Sequence, residues 1–134
     1  SVTSIGFGVF LNCENLNNIK IPDSATSIAG RSFSGCTSLT NITIPDSVTS
    51  IAGYAFQNCT SLNSIIIPDS VTSIGDFAFL SCSALTAVTF HGDSPKVGND
   101  VFLDATPTIY RKPEAKGWGD NWAGRPVKLI SEKP

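Results

Sequence analysis

The chain of 134 residues has no methionine, one histidine and few charges. Charged residues make up 15% of it and the net charge is −2, so no basic stripe exists to release phosphate counterions. Nucleic acid is therefore excluded as a partner. No apolar run approaches the ~20 residues a membrane-spanning helix needs, so membrane insertion is not expected. Neither a Gly-rich phosphate loop nor an HExxH motif is present. The N-terminus lacks the basic and apolar regions of a signal peptide. It opens at Ser1 in the middle of a repeated pattern. We expect a piece of a longer protein, and its Ser, Thr and Asn content without Met suits a secreted or surface-displayed one.

What the chain has in quantity is itself. IPDSATSIAGRSFSGC, IPDSVTSIAGYAFQNC and IPDSVTSIGDFAFLSC begin at Ile21, Ile44 and Ile67, 23 residues apart. Residues 25–47 and 48–70 agree at 15 of 23 positions, far above chance. The same interval aligns Phe10, Phe33, Phe56, Phe79 and Phe102. It also aligns Ile5, Ile28, Ile51, Ile74 and Val97, as well as Leu16, Leu39, Leu62 and Leu85. A decayed fifth copy begins near Pro95, where KVGNDVF keeps the frame. With 41% apolar residues the chain can bury a core. A unit of this length cannot bury its own apolar face, so copies must stack.

Each copy predicts one coil. The L-x-x-I-x-I segment alternates as a strand does. Pro-Asp-Ser ends it, since Pro has no ladder donor and Asp favours a turn. VTSI predicts a second short extended segment. GYAFQNC predicts a tight helical or 3₁₀ bend that carries Phe56 inward.

The unit resembles the BspA-like, or treponemal-type, leucine-rich repeats of bacterial surface proteins. In the third coil the pattern falls on Cys36, Leu39, Ile42, Ile44, Pro45, Val48, Ile51, Ala55, Phe56 and Cys59. The resemblance covers residues 2 to about 110. It implies a curved leucine-rich-repeat solenoid with a parallel sheet on its concave face. It also implies adhesion or host-protein binding within a larger secreted or wall-attached protein. The expected coils lie near 2–24, 25–47, 48–70, 71–94 and 95–110, followed by a C-terminal cap at 111–134.

Cys13, Cys36, Cys59 and Cys82 are evenly spaced, one per coil. A disulfide framework gives uneven spacings, and a zinc site asks for close pairs. Ala105 takes the place in the decayed copy. The favoured reading is a ladder of free, buried thiols, with a metal or a disulfide as the alternatives.

Other columns raise sharper ideas and plainer accounts. Asp23, Asp46 and Asp69 could offer calcium oxygen ligands, but one carboxylate per coil fits local turn bonding better. Thr3, Thr26, Thr49 and Thr72, beside Ser4, Ser27, Ser50 and Ser73, suggest an ice-binding hydroxyl ladder. Adjacent residues on a strand point opposite ways, so edge solvation and turn bonding are preferred. His91 replaces the Pro of the IPDS turn and has no nominated nucleophile or orienter, so it reads as a surface turn residue. Asn41 and Asn58 match the N-glycosylation pattern, for which chance is the better account.

The strand positions expected to face outward are Asn18, Lys20, Asn41, Thr43, Ser64, Ile66, Ala87 and Thr89. They vary while the core columns do not. On a concave sheet they would form a binding face for an unknown protein or glycan; drift on a solvated face is the other account. No catalytic cluster, metal site or cofactor is expected. The leading expectation is thus a non-catalytic adhesion or interaction module, with a structural spacer as the alternative.

From Pro107 the pattern changes. We expect TIY to be a last strand and Trp118, Trp122, Val127, Leu129 and Ile130 to form a cover over the last coil, since terminal repeats need one. An aromatic ligand pocket around the two tryptophans is the competing idea. At the other end the first coil opens at Val2 without a cover, and an uncovered edge there would self-associate.

Overall fold

The computed structural model describes residues 10–133. Eleven short strands follow in order. They are β1 (Asn18–Lys20), β2 (Ser27–Ile28), β3 (Asn41–Thr43), β4 (Ser50–Ile51), β5 (Ser64–Ile67) and β6 (Ser73–Ile74). Then come β7 (Ala87–Phe90), β8 (Lys96–Val97), β9 (Thr108–Arg111), β10 (Asn121–Trp122) and β11 (Arg125–Leu129). A 3₁₀ turn at Ile130–Glu132 closes the chain.

The 23-residue interval becomes a stacking register. In the long-strand row Ile19 pairs with Ile42, and Ile65 with Val88, which in turn pairs with Ile109, all in parallel. In the short-strand row Ile28, Ile51, Ile74 and Val97 follow one another in the same way. The third side of each coil is also tied. Phe33, Phe56 and Phe79 donate their N–H groups to Ala55, Ala78 and Val101 at 2.8, 2.8 and 3.0 Å. Two of the three sides are therefore narrow sheets or single bonds, and the apolar side chains fill the space between them.

That core consists of columns. The rings of Phe10, Phe33, Phe56, Phe79 and Phe102 stack with successive centroids 5.2, 5.4, 5.2 and 5.6 Å apart. Burying each ring contributes roughly 1.5–3 kcal/mol, and each stacked pair about 0.5–1.5 kcal/mol more. Coils lie so close that a side chain at Gly75 would meet the Gly53 backbone nitrogen at 2.6 Å. The solenoid is as expected from the repeat.

Of the two bends expected, helical or 3₁₀, the tighter one forms. It is a run of i→i+3 turns: Ser32 to Ala29, Cys36 to Phe33, Leu39 to Cys36. Two residues per coil have left-handed backbone, and these stop a helix from propagating. One column is Asn12, Gly35, Asn58, Ser81 and Asp104, with φ from 57° to 78°. The other is Arg31, Tyr54, Phe77 and Asp100, with φ from 51° to 58°.

The tail after β9 supplies a further strand that the sequence reading lacked. β11 pairs parallel with β9, placing Val127 beside Ile109, and β10 folds back antiparallel on it. Trp118 and Trp122 pack their rings 4.9 and 5.0 Å from Phe90. The Trp118 indole N–H donates to the Gly92 carbonyl at 3.2 Å. Trp118, Trp122, Ala123 and Val127 pack against the core; Leu129 and Ile130 are half-buried. The tryptophan rings touch each other at 5.5 Å and close over Phe90 and Phe102, the place where a ligand pocket between them would have been. The expected free edge at Val2 lies outside the described residues. No helix among the described residues is long and apolar enough to cross a membrane.

Candidate functional site: the long-strand face

Alternation along the strands decides which side chains face out. Ile19, Ile42, Ile65, Val88 and Ile109 turn inward, and their neighbours turn outward. Asn18, Lys20, Asn41, Thr43, Ser64 and Ile66 are exposed. Ile66, at 51%, is the large apolar side chain that this face leaves in water.

Ala87 and Thr89 depart from the expectation, because both are buried, at 9% and 4%. Thr89 lies in register between Ile66 and Tyr110. The tail then returns across it: the Lys133 ammonium donates to the Thr89 hydroxyl at 3.1 Å and stands 5.7 Å from the Tyr110 ring. The open part of the face is therefore six residues on β1, β3 and β5. The tail's basic residues and Tyr110 were visible in the sequence, but nothing in the repeat pattern says that the chain end folds back over β7.

Lys20 is the charged member of these six, and the others carry amide, hydroxyl and aliphatic groups. The row is also divided. Among the described residues β1 and β3 form one sheet, and β5, β7, β9, β11 and β10 form another; no ladder joins β3 to β5. The same two coils remain bonded elsewhere, at Ser50 with Ser27 in the short-strand row and at Phe33 with Ala55. The division is thus local to this face. A cavity of about 230 Å³ occupies it, lined by residues 41–44 and 64–66. Sequence reasoning missed it, since β3 and β5 carry the same consensus as their neighbours.

The thiols are free, with Cys36, Cys59 and Cys82 buried and Cys13 half-buried. Each buried thiol donates to the carbonyl of the phenylalanine one coil earlier. Cys36 reaches Phe10 at 3.1 Å, Cys59 reaches Phe33 at 3.2 Å and Cys82 reaches Phe56 at 3.0 Å. The Phe33 carbonyl also accepts the Cys36 N–H at 3.2 Å, so both its lone pairs are engaged. Burial raises the pKa of Cys36 and pushes the Cys82 thiol up to about 12. Cys59 is raised too, first by burial and then by its neighbours Cys82 and Cys36. These groups are structural and poorly nucleophilic.

The threonine column serves the scaffold. Thr49 and Thr72 donate their hydroxyls to the Thr26 and Thr49 carbonyls at 3.1 and 3.2 Å, binding coil to coil. Thr3 and Ser4 lie outside the described residues. Among the described residues no three His, Cys, Asp or Glu side chains converge as metal ligands. Asp23 and Asp46 border an open cleft beside Pro45 and Ser47. His91 is exposed at the rim of a larger cleft, about 610 Å³, with Asp69, Asp93, Lys96 and Glu114. Asn41 and Asn58 are both exposed.

The family model described as a BspA type leucine rich repeat region (6 copies) matches residues 1–109. A leucine rich repeat protein of T. pallidum superposes with a TM-score of 0.74 at 29% identity, covering 81% of this chain and 52% of that one. A leucine rich cell surface protein of Faecalibacterium prausnitzii superposes with a TM-score of 0.62, also at 29% identity, covering 78% of this chain and 38% of that one. This chain thus spans about half the length of the first and less of the second. No curated protein matches. The 23-residue register, the stacked phenylalanines and the match over residues 1–109 have one reading: the chain belongs to the BspA-type leucine-rich repeat family.

Proposed function

We propose that the chain is a non-catalytic interaction module of a larger secreted or cell-surface bacterial protein, and that it binds protein or glycan through the exposed part of the long-strand face. The observation that carries this reading is the contrast between frame and face. Inward columns, inter-coil bonds and ring stacks repeat from coil to coil, while Asn18, Lys20, Asn41, Thr43, Ser64 and Ile66 vary and stand in solvent. Variable side chains on a stiff frame are where recognition is usually placed. The surface location draws support from the F. prausnitzii structure, whose own description is of a cell surface protein.

The test uses a panel of extracellular host proteins and immobilised glycans, probed with the parent chain and with Lys20→Glu, Thr43→Arg and Ile66→Asp. All three positions are exposed, so the fold should survive, which circular dichroism would check. A ligand captured by the parent should be lost by at least tenfold in two or more variants. A ligand held equally by all of them would place recognition elsewhere. A chain that captures nothing from the panel would favour a spacer that displays other domains.

A further inference from the structure

The bends carry a second stack of side chains, outside the core. Arg31, Tyr54, Phe77 and Asp100 hold the same place in successive coils, all with left-handed backbone. The first three rest on one another. The Arg31 guanidinium lies 4.3 Å over the Tyr54 ring, and that ring is 5.1 Å from Phe77. The guanidinium also donates to the Gln57 side-chain oxygen at 3.1 Å, so its plane and its N–H groups are both engaged. At the fourth place the stack stops. An aspartate is too short to cover a ring, and among the described residues no ring or cation lies on the far face of Phe77. The surroundings change there as well. Where Arg31 finds Gln57, the next two coils carry Leu80, half-buried, and Leu103, 44% exposed. Asp76 and Asp104 adjoin Phe77 and Leu103 in the chain, and like Asp100 they are exposed. One Asp76 oxygen accepts the Asn99 N–H at 2.8 Å, whereas the Asp100 and Asp104 carboxylates have no partner among the described residues. Arg125 in the tail donates to the Phe102 carbonyl at 3.2 Å and not to them.

We propose that the end of this stack is a docking site for an arginine side chain of a protein partner. The chain supplies its own template: a guanidinium on Phe77 would repeat what Arg31 does on Tyr54. Its N–H fork would meet the Asp100 carboxylate, and its aliphatic stem would lie along Leu103. One side chain thereby covers the open ring face, neutralises the carboxylates and shields an exposed leucine. Lysine has the charge without a plane to stack. A sugar stacks on the ring but leaves the carboxylates without a counter-charge. The bend side is a different side of the coil from the long strands, so this site and the long-strand face stand or fall separately.

The experiment titrates the isotope-labelled chain with three glycine-flanked pentapeptides whose central residue is arginine, lysine or citrulline. Lysine keeps the charge without the plane, and citrulline keeps the plane without the charge. Backbone amides and the Phe77 ring are followed. The arginine peptide should give saturable shifts centred on residues 76–80 and 99–104. The lysine peptide should bind about fivefold more weakly, and the citrulline peptide should shift nothing. Asp100→Asn keeps the shape and tolerates a φ of 51°, and it should weaken arginine binding about fivefold. Phe77→Leu keeps an apolar side chain and should weaken it about threefold, with folding checked by circular dichroism. Asp46→Asn, an exposed carboxylate at another corner of the coil, should leave it unchanged. Equal binding of lysine and arginine, or an equal loss with Asp46→Asn, would mean diffuse charge attraction and would overturn the proposal. No response to the arginine peptide would overturn it too; shifts of the same resonances by glucose would then give the ring face to a glycan. Shifts at these residues on concentrating the chain alone, with a rising mass by light scattering, would give it to a second copy instead of an arginine-bearing partner.

Discussion

Cys36, Cys59 and Cys82 each do two things that a small apolar residue would not both do. Each fills a buried position, and each sends a hydrogen to the carbonyl of the coil before it, at 3.0–3.2 Å. The even spacing was enough to read free thiols in a ladder. The hydrogen bonds were not legible, because nothing in one sequence marks which carbonyl lies under which sulfur. The protonation behaviour follows from burial. Folded Cys82 holds its proton to about 12, and Cys36 and Cys59 are raised in the same direction. In the unfolded chain a cysteine loses its proton near pH 8.5. The folded form therefore binds more protons between those limits, and stability must fall as pH rises through that window. Below about pH 8.5 the contribution is fully present. Each such thiol should add about 1.4 kcal/mol per pH unit to the decline. Urea unfolding at pH 8 and pH 10 should show the fall, and Cys82→Ala should reduce the slope by one thiol's share. A slope unchanged by that substitution would mean that the thiol is not held neutral by the fold.

At the scale of the element, the strands were readable and the bends only half so. L-x-x-I-x-I alternates, and its Pro stop is explicit, so β1, β3 and β5 lie where the pattern puts them. GYAFQNC has the apolar spacing of a helical or 3₁₀ turn, and the sequence alone left the two open. The left-handed residues decide between them. Asn12, Gly35, Asn58, Ser81 and Asp104 are mostly types that tolerate positive φ, and that column was visible in the repeat alignment. Arg31, Tyr54 and Phe77 are not such types. They are held by their neighbours: the Tyr54 and Phe77 rings stack at 5.1 Å, and the Arg31 guanidinium sits 4.3 Å over Tyr54. Tertiary contact overrides local preference there, and a single sequence does not announce it. One substitution separates the two cases. Ser81 occupies the position that Gly35 fills two coils earlier. Ser81→Gly removes a left-handed penalty of ~1–2 kcal/mol against a smaller entropy cost for glycine. A net stabilisation of about 0.5–1 kcal/mol is expected from chemical denaturation. A loss of stability would show that the serine is held by something other than its backbone.

Across the whole molecule, the interval of 23 residues gives the solenoid and its parallel rows, and the need to cover the last coil gives the cap of tryptophans. Neither gives the two features that shape the candidate site. The tail's return over Thr89 depends on a segment with no repeat partner, and the division between β3 and β5 separates coils of nearly identical sequence. Ala87 and Thr89 are buried, which reduces the eight expected face residues to six, and the division opens a cavity beside four of those. The frame that holds them depends on equivalent side chains resting on one another from coil to coil. A double-mutant cycle measures that directly. Phe33→Leu and Phe56→Leu, whose rings stack at 5.4 Å, should couple by about 0.5–1.5 kcal/mol. Phe33→Leu and Phe102→Leu, three coils apart, should be additive within about 0.5 kcal/mol. Additivity in the first pair, or equal coupling in both, would contradict the shared columns on which the fold and its candidate face are built.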